Sequence, residues 1–596
     1  MASASPADDK PLNAWIRALD RTAPFARGEG KPLPALVADI AARFGSRPAL
    51  LADEETLTYE TLAGRIHRYA RWALQQQIGA GEVVCLMLPN CPDYVAIWLG
   101  ITSVCGVVAL VNPNLTGDAL LHAMCAVAPK HVIVGAGLED AVAGVRDRLP
   151  GEIGIWTHGP GGRWPRLDTH VETLAAEPLR EDEQRPPALG DLALHIYTSG
   201  TTGLPKAANV SHRRVAEWAC WFAGMIDTQP DDRMYNCLPM YHSVGGVVAI
   251  GAMLAGGGSV LIRPKFSASR FWDDVAERDC TVFQYIGELC RYLVNSKPHP
   301  RERDHRLRLC CGNGLRGDVW QDFQQRFGIP RILEFYASTE GNLSLYNCQG
   351  KPGAIGHVPA FLAHRFPIAL VRCDLDTGAL LSGADGLCIR CGRDEAGEAL
   401  GKIGDEMDTH GRPFEGYTNA AASDAKVVRD VLAKGDAWFR TGDLMRRDGA
   451  GFFYFVDRLG DTFRWKGENV ATEEVAEVLR SCPGVTEAVV YGVKVPGTEG
   501  RAGMAALTVD AGFDLAAFRR HIEARLPEYA RPLFLRLGES IAATATFKPA
   551  KALLAREGYD PDVVGDALYV NDRAQGAFVP LDRPLQERLR GDQLRR

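Results

Sequence analysis

An apolar run at residues 192–196 opens into Tyr197-Thr198-Ser199-Gly200-Thr201-Thr202-Gly203-Leu204-Pro205-Lys206. That junction restricts the chain to folds that carry a polar loop at the end of a strand. The loop holds four aliphatic hydroxyls, two glycines and a lysine. Glycines let a backbone bend sharply and bring its N–H groups close to an anion. Hydroxyls donate to phosphate oxygens, and lysine adds a mobile positive charge. The composition reads as a polyphosphate cradle. It is not a Walker A loop, which needs a glycine directly before its lysine and Ser or Thr after it. Here Pro205 precedes Lys206 and Ala207 follows, so an ordinary P-loop NTPase is disfavoured.

Around this loop, helix-like and strand-like apolar segments alternate, which argues for α/β layers. Leu36, Val37, Ile40 and Phe44 mark an amphipathic helix ending near Gly45. Thr58 is placed to cap a helix carrying Leu62, Ile66, Tyr69, Ala70 and Ala73 on one face. Residues 83–88 read as a buried parallel strand. The run at 94–111 is broken by Gly100, Ser103 and Gly106 and is short for a membrane span, so a buried helix followed by a strand is expected. Residues 1–30 are polar, lack an apolar signal-peptide core and read as irregular. Residues 145–190 are rich in Pro, Gly and charge and read as a surface excursion.

At 596 residues, two or more domains are expected. A net charge of −7 gives no case for nucleic acid as a partner. The 15 cysteines are scattered, several within apolar runs, as expected of reduced thiols in the cytoplasm. Cys388 and Cys391 form a CxxC with no second pair at zinc spacing. If residues 386–391 form a strand, those thiols face opposite sides.

Further polar blocks follow strand-like runs. Leu238-Pro239-Met240-Tyr241-His242 leads into residues 243–258, small and apolar, which suit either an apolar tunnel or close helix packing. Cys310-Cys311-Gly312-Asn313-Gly314 is a glycine-rich turn. Residues 332–335 end in Tyr336-Ala337-Ser338-Thr339-Glu340-Gly341-Asn342, and function in α/β sheets gathers at such carboxyl ends. In Trp438-Phe439-Arg440-Thr441-Gly442-Asp443, a carboxylate beside a turn glycine suits a ribose diol, accepting from both hydroxyls. An aromatic strand at 451–456 runs into Asp457-Arg458. Beyond it, Thr472 and Asp514 are placed to cap helices of a small α+β domain.

The order of these blocks resembles the adenylate-forming superfamily of acyl-CoA synthetases, peptide-synthetase adenylation domains and luciferases, from about residue 35 to the end. The resemblance implies the fold class: a large N-terminal domain of α/β layers and a small, mobile α+β C-terminal domain. It implies that Thr198, Ser199, Gly200, Thr201, Thr202, Gly203 and Lys206 hold the ATP phosphates. The turn Gly312, Asn313 and Gly314 would lie along the adenine, with Tyr336 stacked near it and Ser338 alongside. Thr339 would contact the α-phosphate. Glu340, with Thr201, would hold Mg2+, which ATP requires as a hard cation with oxygen ligands. Asp443 would take the ribose hydroxyls, with Arg458 near ribose or phosphate, and Asn469 would also bind the nucleotide. His242 would line the acyl and CoA region. Lys548, in Thr544-Ala545-Thr546-Phe547-Lys548, stands where the family's adenylation lysine stands, although Phe547 replaces the usual glycine. Gly460 stands at the interdomain pivot, where most relatives carry Asp or Lys.

The segment from Asp457 to Val470, Phe414-Glu415-Gly416-Tyr417-Thr418-Asn419 and Thr546-Phe547-Lys548 are similar to the very-long-chain acyl-CoA synthetase and fatty-acid-transport-protein branch. The expected organisation is a polar segment at 1–35, an ATP- and acyl-binding domain at 36–457, a hinge at 458–460 and a lysine-bearing domain at 461–596. The expected reaction joins a long or very long fatty acid, or a bulky acid, to coenzyme A through an acyl-adenylate, releasing AMP and pyrophosphate. Two alternatives stand beside it: loading of a different thiol acceptor, and fatty-acid binding or uptake with weak catalysis. The implied partners are ATP, Mg2+, fatty acid and coenzyme A. The expected location is the cytoplasm, with peripheral contact at the inner membrane face left open, as is the oligomeric state.

Overall fold

The computed structural model describes residues 10–590 apart from 200–203, 376, 405–412, 466–467, 497, 499 and 544–549; of Ser199, Asn469 and Arg590 it describes the backbone alone. The chain divides into two compact units, Met1–Phe366 with Ile403–Val427, and Pro367–Lys402 with Val428–Arg596.

The first unit is built on two large sheets. One runs in the order Gly154–His158, His131–Gly135, Val83–Met87, Val107–Leu110, Leu192–Ser199, Pro205–Ser211. All its pairings are parallel except the last. Its central strands are covered on both faces, which is why Val83–Met87 is apolar at every position and wholly buried. The other sheet runs Ser344–Asn347, Ile332–Ala337, Leu309–Asn313, Val282–Ile286, Arg233–Asn236, Ser259–Ile262, Pro48–Leu51, Thr56–Thr58. Its six inner strands are parallel and both edges antiparallel.

Helix starts follow their caps. Thr58 accepts from the Thr61 N–H and opens a helix where expected; Ser211 likewise accepts from the Arg214 N–H and opens the helix His212–Met225. The 94–111 run is a buried helix, Pro92–Thr102, followed by the strand Val107–Leu110. Two expectations fail here. The N-terminal segment is not irregular throughout: Pro11–Ala26 is a helix that buries Ala14, Trp15 and Ala18. Trp15 meets Trp221, Tyr346 and Phe366 edge-on at centroid distances of 5.9, 5.5 and 5.4 Å. Ala18 lies so close to Gly224 that a Cβ there would sit 2.5 Å from its backbone. Small residues at that crossing let Trp15, with Phe25, anchor an amphipathic helix. The 145–190 excursion likewise contains the edge strand Gly154–His158, buried at alternate positions, and the helix Leu167–Glu172. Edge strands need only half an apolar pattern, which the surrounding Pro and Gly obscured.

The second unit contains an antiparallel sheet ordered Ile368–Val371, Gly397–Lys402, Ala437–Arg447, Phe452–Arg458. After a hairpin of Phe463–Trp465 and Glu468–Val470 come the helix Thr472–Arg480 and a five-stranded sheet. That sheet packs Leu479, Tyr491, Met504, Phe518, Ile522 and Phe534 into one core. Asp514 caps the helix Leu515–Arg525 through the Ala517 N–H. Thr472 does not cap as expected. It is the first helical residue, and its N–H and hydroxyl both donate to Asp457. Residues 386–391 form isolated bridges at Cys388 and Arg390 rather than a strand, after a turn in which Gly386 has φ +76°. Among the described residues no helix is long and apolar enough to cross a membrane.

Candidate active site

Strands Leu192–Ser199 and Pro205–Ser211 pair antiparallel, with Thr198 opposite Lys206 and Ser199 opposite Pro205. The polar loop is therefore the connection of a hairpin at the carboxyl end of a strand. Gly200, Thr201, Thr202 and Gly203 lie outside the described residues, as does the Ser199 side chain.

A segment from 415 to 418 runs along the outer strand of this hairpin. Ala208 bridges Tyr417, the Thr418 N–H donates to the Ala207 carbonyl, and the Asn209 N–H donates to the Gly416 carbonyl. Glu415 accepts from the Ser211 N–H and hydroxyl, both at 2.7 Å. These bonds seat Tyr417 beside Lys206, whose ammonium lies 5.8 Å from the ring centroid. The Tyr417 hydroxyl donates to Glu340 Oε1 at 3.0 Å. Burial and the Glu340 charge raise the Tyr417 phenol far above its usual range, so it acts as a donor. A lysine, a phenol and a carboxylate from three distant segments thus form one chain of contacts.

Glu340 follows the strand Ile332–Ala337, and its neighbour Thr339 shares a 2.8 Å hydroxyl contact with Ser243. Ser243 opens the π-helical turn Ser243–Val248, directly after His242. Two expected site segments are therefore in contact, and Ser243 was not foreseen. The glycines of this turn are required by close packing. A Cβ at Gly246 would lie 1.8 Å from the Met240 carbonyl oxygen, and one at Gly245 2.6 Å from that of Pro239. Arg214 donates to the Gly341 carbonyl, tying the end of the Glu340 segment to the helix His212–Met225.

The turn Gly312-Asn313-Gly314 leaves the strand Leu309–Asn313, beside the strand that carries Tyr336. Gly314 has φ +79°, a conformation suited to glycine. Glu334, 1% exposed, lies beneath this turn. It accepts from Tyr285 and from the Gly314 and Leu315 N–H groups. Burial pushes its carboxyl up to about 8.

In the second unit, Asp443 and Arg458 are cross-strand partners with Nε to Oδ1 at 3.4 Å. Asp443 is not beside a free turn, as expected, but inside the continuous strand Ala437–Arg447. The irregularity is local: Gly442 has φ +77°, and the register against Gly397–Lys402 shifts between Glu398 and Leu400. Glu398, fully buried, takes a forked ion pair from Arg440 and accepts from the Gly442 N–H at 3.2 Å. It fixes the backbone of Gly442, the residue before Asp443.

Asp457, 2% exposed, accepts from Arg458 and Thr472, with Lys551 Nζ 3.9 Å away. Burial raises its carboxyl, and Lys551 and those donors oppose the rise. Gly460 has φ +96° with nothing within 4 Å of where a Cβ would be. Lys548 and the Asn469 side chain lie outside the described residues.

Besides Ser243, the residues that the sequence did not single out are Tyr417, Glu334, Tyr285 and Glu398. Each had a faint signal. Glu334 is a lone carboxylate in an apolar strand, and Tyr417 lies within a segment already noted for its likeness to one branch.

Two family models match: AMP-binding enzyme over residues 37–365 and AMP-binding enzyme C-terminal domain over 474–548. The chain belongs to the AMP-binding enzyme family. Family relatives include long-chain fatty acid transport protein 1 of Mus musculus, 40% identical over 94% of this chain and 88% of that protein. Long-chain fatty acid transport protein 3 of Mus musculus is 41% identical over 86% and 77% respectively. Among solved structures, ATP-bound MatB from Rhodopseudomonas palustris matches with TM-score 0.73 at 23% identity, over 88% of this chain and 98% of that one. The Mycobacterium tuberculosis fatty acyl CoA synthetase matches with TM-score 0.62 at 22% identity, over the same shares. The fold is that of adenylate-forming enzymes: α/β, with a large N-terminal and a small C-terminal domain.

Proposed function

We propose that this AMP-binding enzyme activates long- or very-long-chain fatty acids as AMP-forming acyl-CoA ligases do. The observation that carries the reading is the contact chain Lys206, Tyr417, Glu340 at the mouth of the hydroxyl-rich hairpin. It sets a cation and a carboxylate where a polyphosphate and its metal would meet. The choice of acid rests on the 40% identity to proteins named long-chain fatty acid transport proteins.

A carboxylate acylates poorly because oxide is a bad leaving group. Its oxygen attacks the α-phosphate of ATP, forming an acyl-adenylate as the bond to pyrophosphate breaks. The thiol of coenzyme A then loses its proton, attacks the acyl carbon and expels AMP. Negative charge develops at the α-phosphate in the first step, where Thr339 and Lys548 would stabilise it. Lys206 would hold the departing pyrophosphate in line. Asp443 and Arg458 would hold the ribose.

Magnesium fits Glu340. One oxygen accepts from Tyr417, and the other has no partner among the described residues. Magnesium with a nucleotide takes one or two carboxylates, the remaining ligands being phosphate and water. Bound there, it would neutralise phosphate charge. In the same reading, residues 36–457 form the nucleotide and acyl domain, 458–460 the hinge and 461–596 the domain that delivers Lys548. A substrate that partitions into bilayers suits a cytoplasmic enzyme working against the inner membrane face.

AMP release from ATP with medium to very long fatty acids, with and without coenzyme A, tests the proposal. CoA-dependent release that peaks at long chains is expected. Pyrophosphate exchange without CoA dependence would point to a different acceptor. No release with any acid would favour binding or uptake.

A further inference from the structure

Glu334 sits two residues before Tyr336 in the strand Ile332–Ala337. The sheet register sets Tyr285, Gly312 and Glu334 side by side on three adjacent strands. Gly312 makes this row workable. A Cβ there would lie 2.2 Å from the Tyr285 carbonyl oxygen and 2.5 Å from its ring Cδ2. The Tyr285 side chain crosses the gap and its hydroxyl donates to Glu334 Oε2 at 2.5 Å. The other carboxylate oxygen, Oε1, accepts from the Gly314 and Leu315 N–H groups. From the side, Gly287 approaches so closely that a Cβ would lie 1.7 Å from the Gly314 carbonyl oxygen. The turn is therefore held from beneath and from one flank. Within it, Asn313 Oδ1 is buried and has no hydrogen-bond partner among the described residues.

A buried carboxylate is a costly way to stabilise a strand. An apolar residue would pack as well but leave two turn N–H groups without an acceptor. The row of three residues makes sense if the conformation of the turn matters more than the stability of the sheet. An orphan acceptor within that turn matches an exocyclic amine, and adenine carries one.

We propose that Glu334, with the Tyr285 hydroxyl, is a positioning residue for the nucleotide base: it fixes the 312–315 turn so that Asn313 Oδ1 receives the adenine amine. The inference rests on the reading of ATP as substrate. Neither residue touches the reacting atoms, so the effect belongs in nucleotide affinity and base choice.

The test uses the full chain, with ATP and GTP as probes, in Glu334→Leu, Glu334→Gln and Tyr285→Phe. Leucine removes both acceptors, whereas glutamine keeps one at similar volume. Expected is a rise in ATP KM of about tenfold or more for Glu334→Leu and about threefold for Tyr285→Phe. Fatty acid KM should move less than twofold, the preference for ATP over GTP should fall, and Glu334→Gln should recover most of the loss. Equal changes in both KM values with unchanged base preference would mark a merely structural role and overturn the inference. If Glu334→Leu fails to fold, Tyr285→Phe decides: an unchanged ATP KM and base preference would refute it. Wild-type protein that binds no ATP would instead overturn the reading of the substrate.

Discussion

Tyr417→Phe isolates one hydrogen bond in the contact chain at the hairpin. The ring stays, so its contact with Lys206 at 5.8 Å stays. What goes is the 3.0 Å donation from a buried phenol to the Glu340 carboxylate. A hydrogen bond to a charged group contributes about 1.5–3 kcal/mol. Glu340 is half-buried, so water recovers part of this, and the lower end, about 1.5 kcal/mol, is the expected cost. At 1.36 kcal/mol per tenfold that is roughly tenfold in kcat/KM for ATP. A group that orients a metal-binding carboxylate also tunes metal affinity, by about 10- to 100-fold when removed. The loss should therefore appear mainly as a raised Mg2+ requirement and be largely recovered at high Mg2+. Tyr417→Leu also removes the cation–π contact and should add about 0.5–1 kcal/mol. The assay is AMP release with ATP and Mg2+ each varied, beside a thermal melt. Unchanged Mg2+ half-saturation in Tyr417→Phe, with an active wild type, would refute the reasoning.

Lys548→Ala should abolish adenylate formation, at a cost of about 3 kcal/mol or more, yet spare CoA transfer from a supplied acyl-adenylate; equal loss of both half-reactions would sink the assignment. Gly460 has φ +96°, which proline at about −65° cannot adopt, so Gly460→Pro should slow multiple turnover, and unchanged turnover would put the pivot elsewhere. Lys551→Met removes the cation nearest buried Asp457 and should lower stability by about 1–2 kcal/mol, largely restored by adding Asp457→Asn; additive losses in denaturant melts would rule out the pairing. Glu334 is raised from 4.5 to about 8 in the fold. Over that window the folded state binds the extra proton, so stability falls as pH rises. The neighbours that interact with it are Tyr285 and the buried thiols Cys290 and Cys311, all held protonated by burial. Melts from pH 5 to 8.5 should therefore slope less in Glu334→Gln than in wild type; identical slopes would count against the shift.

The strand-end blocks were legible because their chemistry is local. Thr198 and Lys206 face each other across one hairpin, and the hairpin is a nearest-neighbour consequence of Gly, Pro and hydroxyl residues after an apolar run. Tyr336 to Glu340 follow one buried strand directly. The N-terminal helix was not legible, because what holds it is Trp15 in a socket built from the sequence-remote Trp221, Tyr346 and Phe366. The carboxylate supports were hidden for the opposite reason. Glu334 and Glu398 look like charges that interrupt apolar strands until their donors are known.

By itself, the order of apolar runs, glycines and hydroxyls determined the α/β layering and the polar blocks at strand ends, because strand burial depends on neighbours in the chain. Tertiary structure alone decided that Tyr417 donates to Glu340 across 77 residues. It also decided that Glu334 supports a turn on the adjacent strand and that Asp457 sits against Lys551. Hydrogen bonds and buried charges depend on distance and dielectric, and those exist only once strands remote in sequence lie side by side.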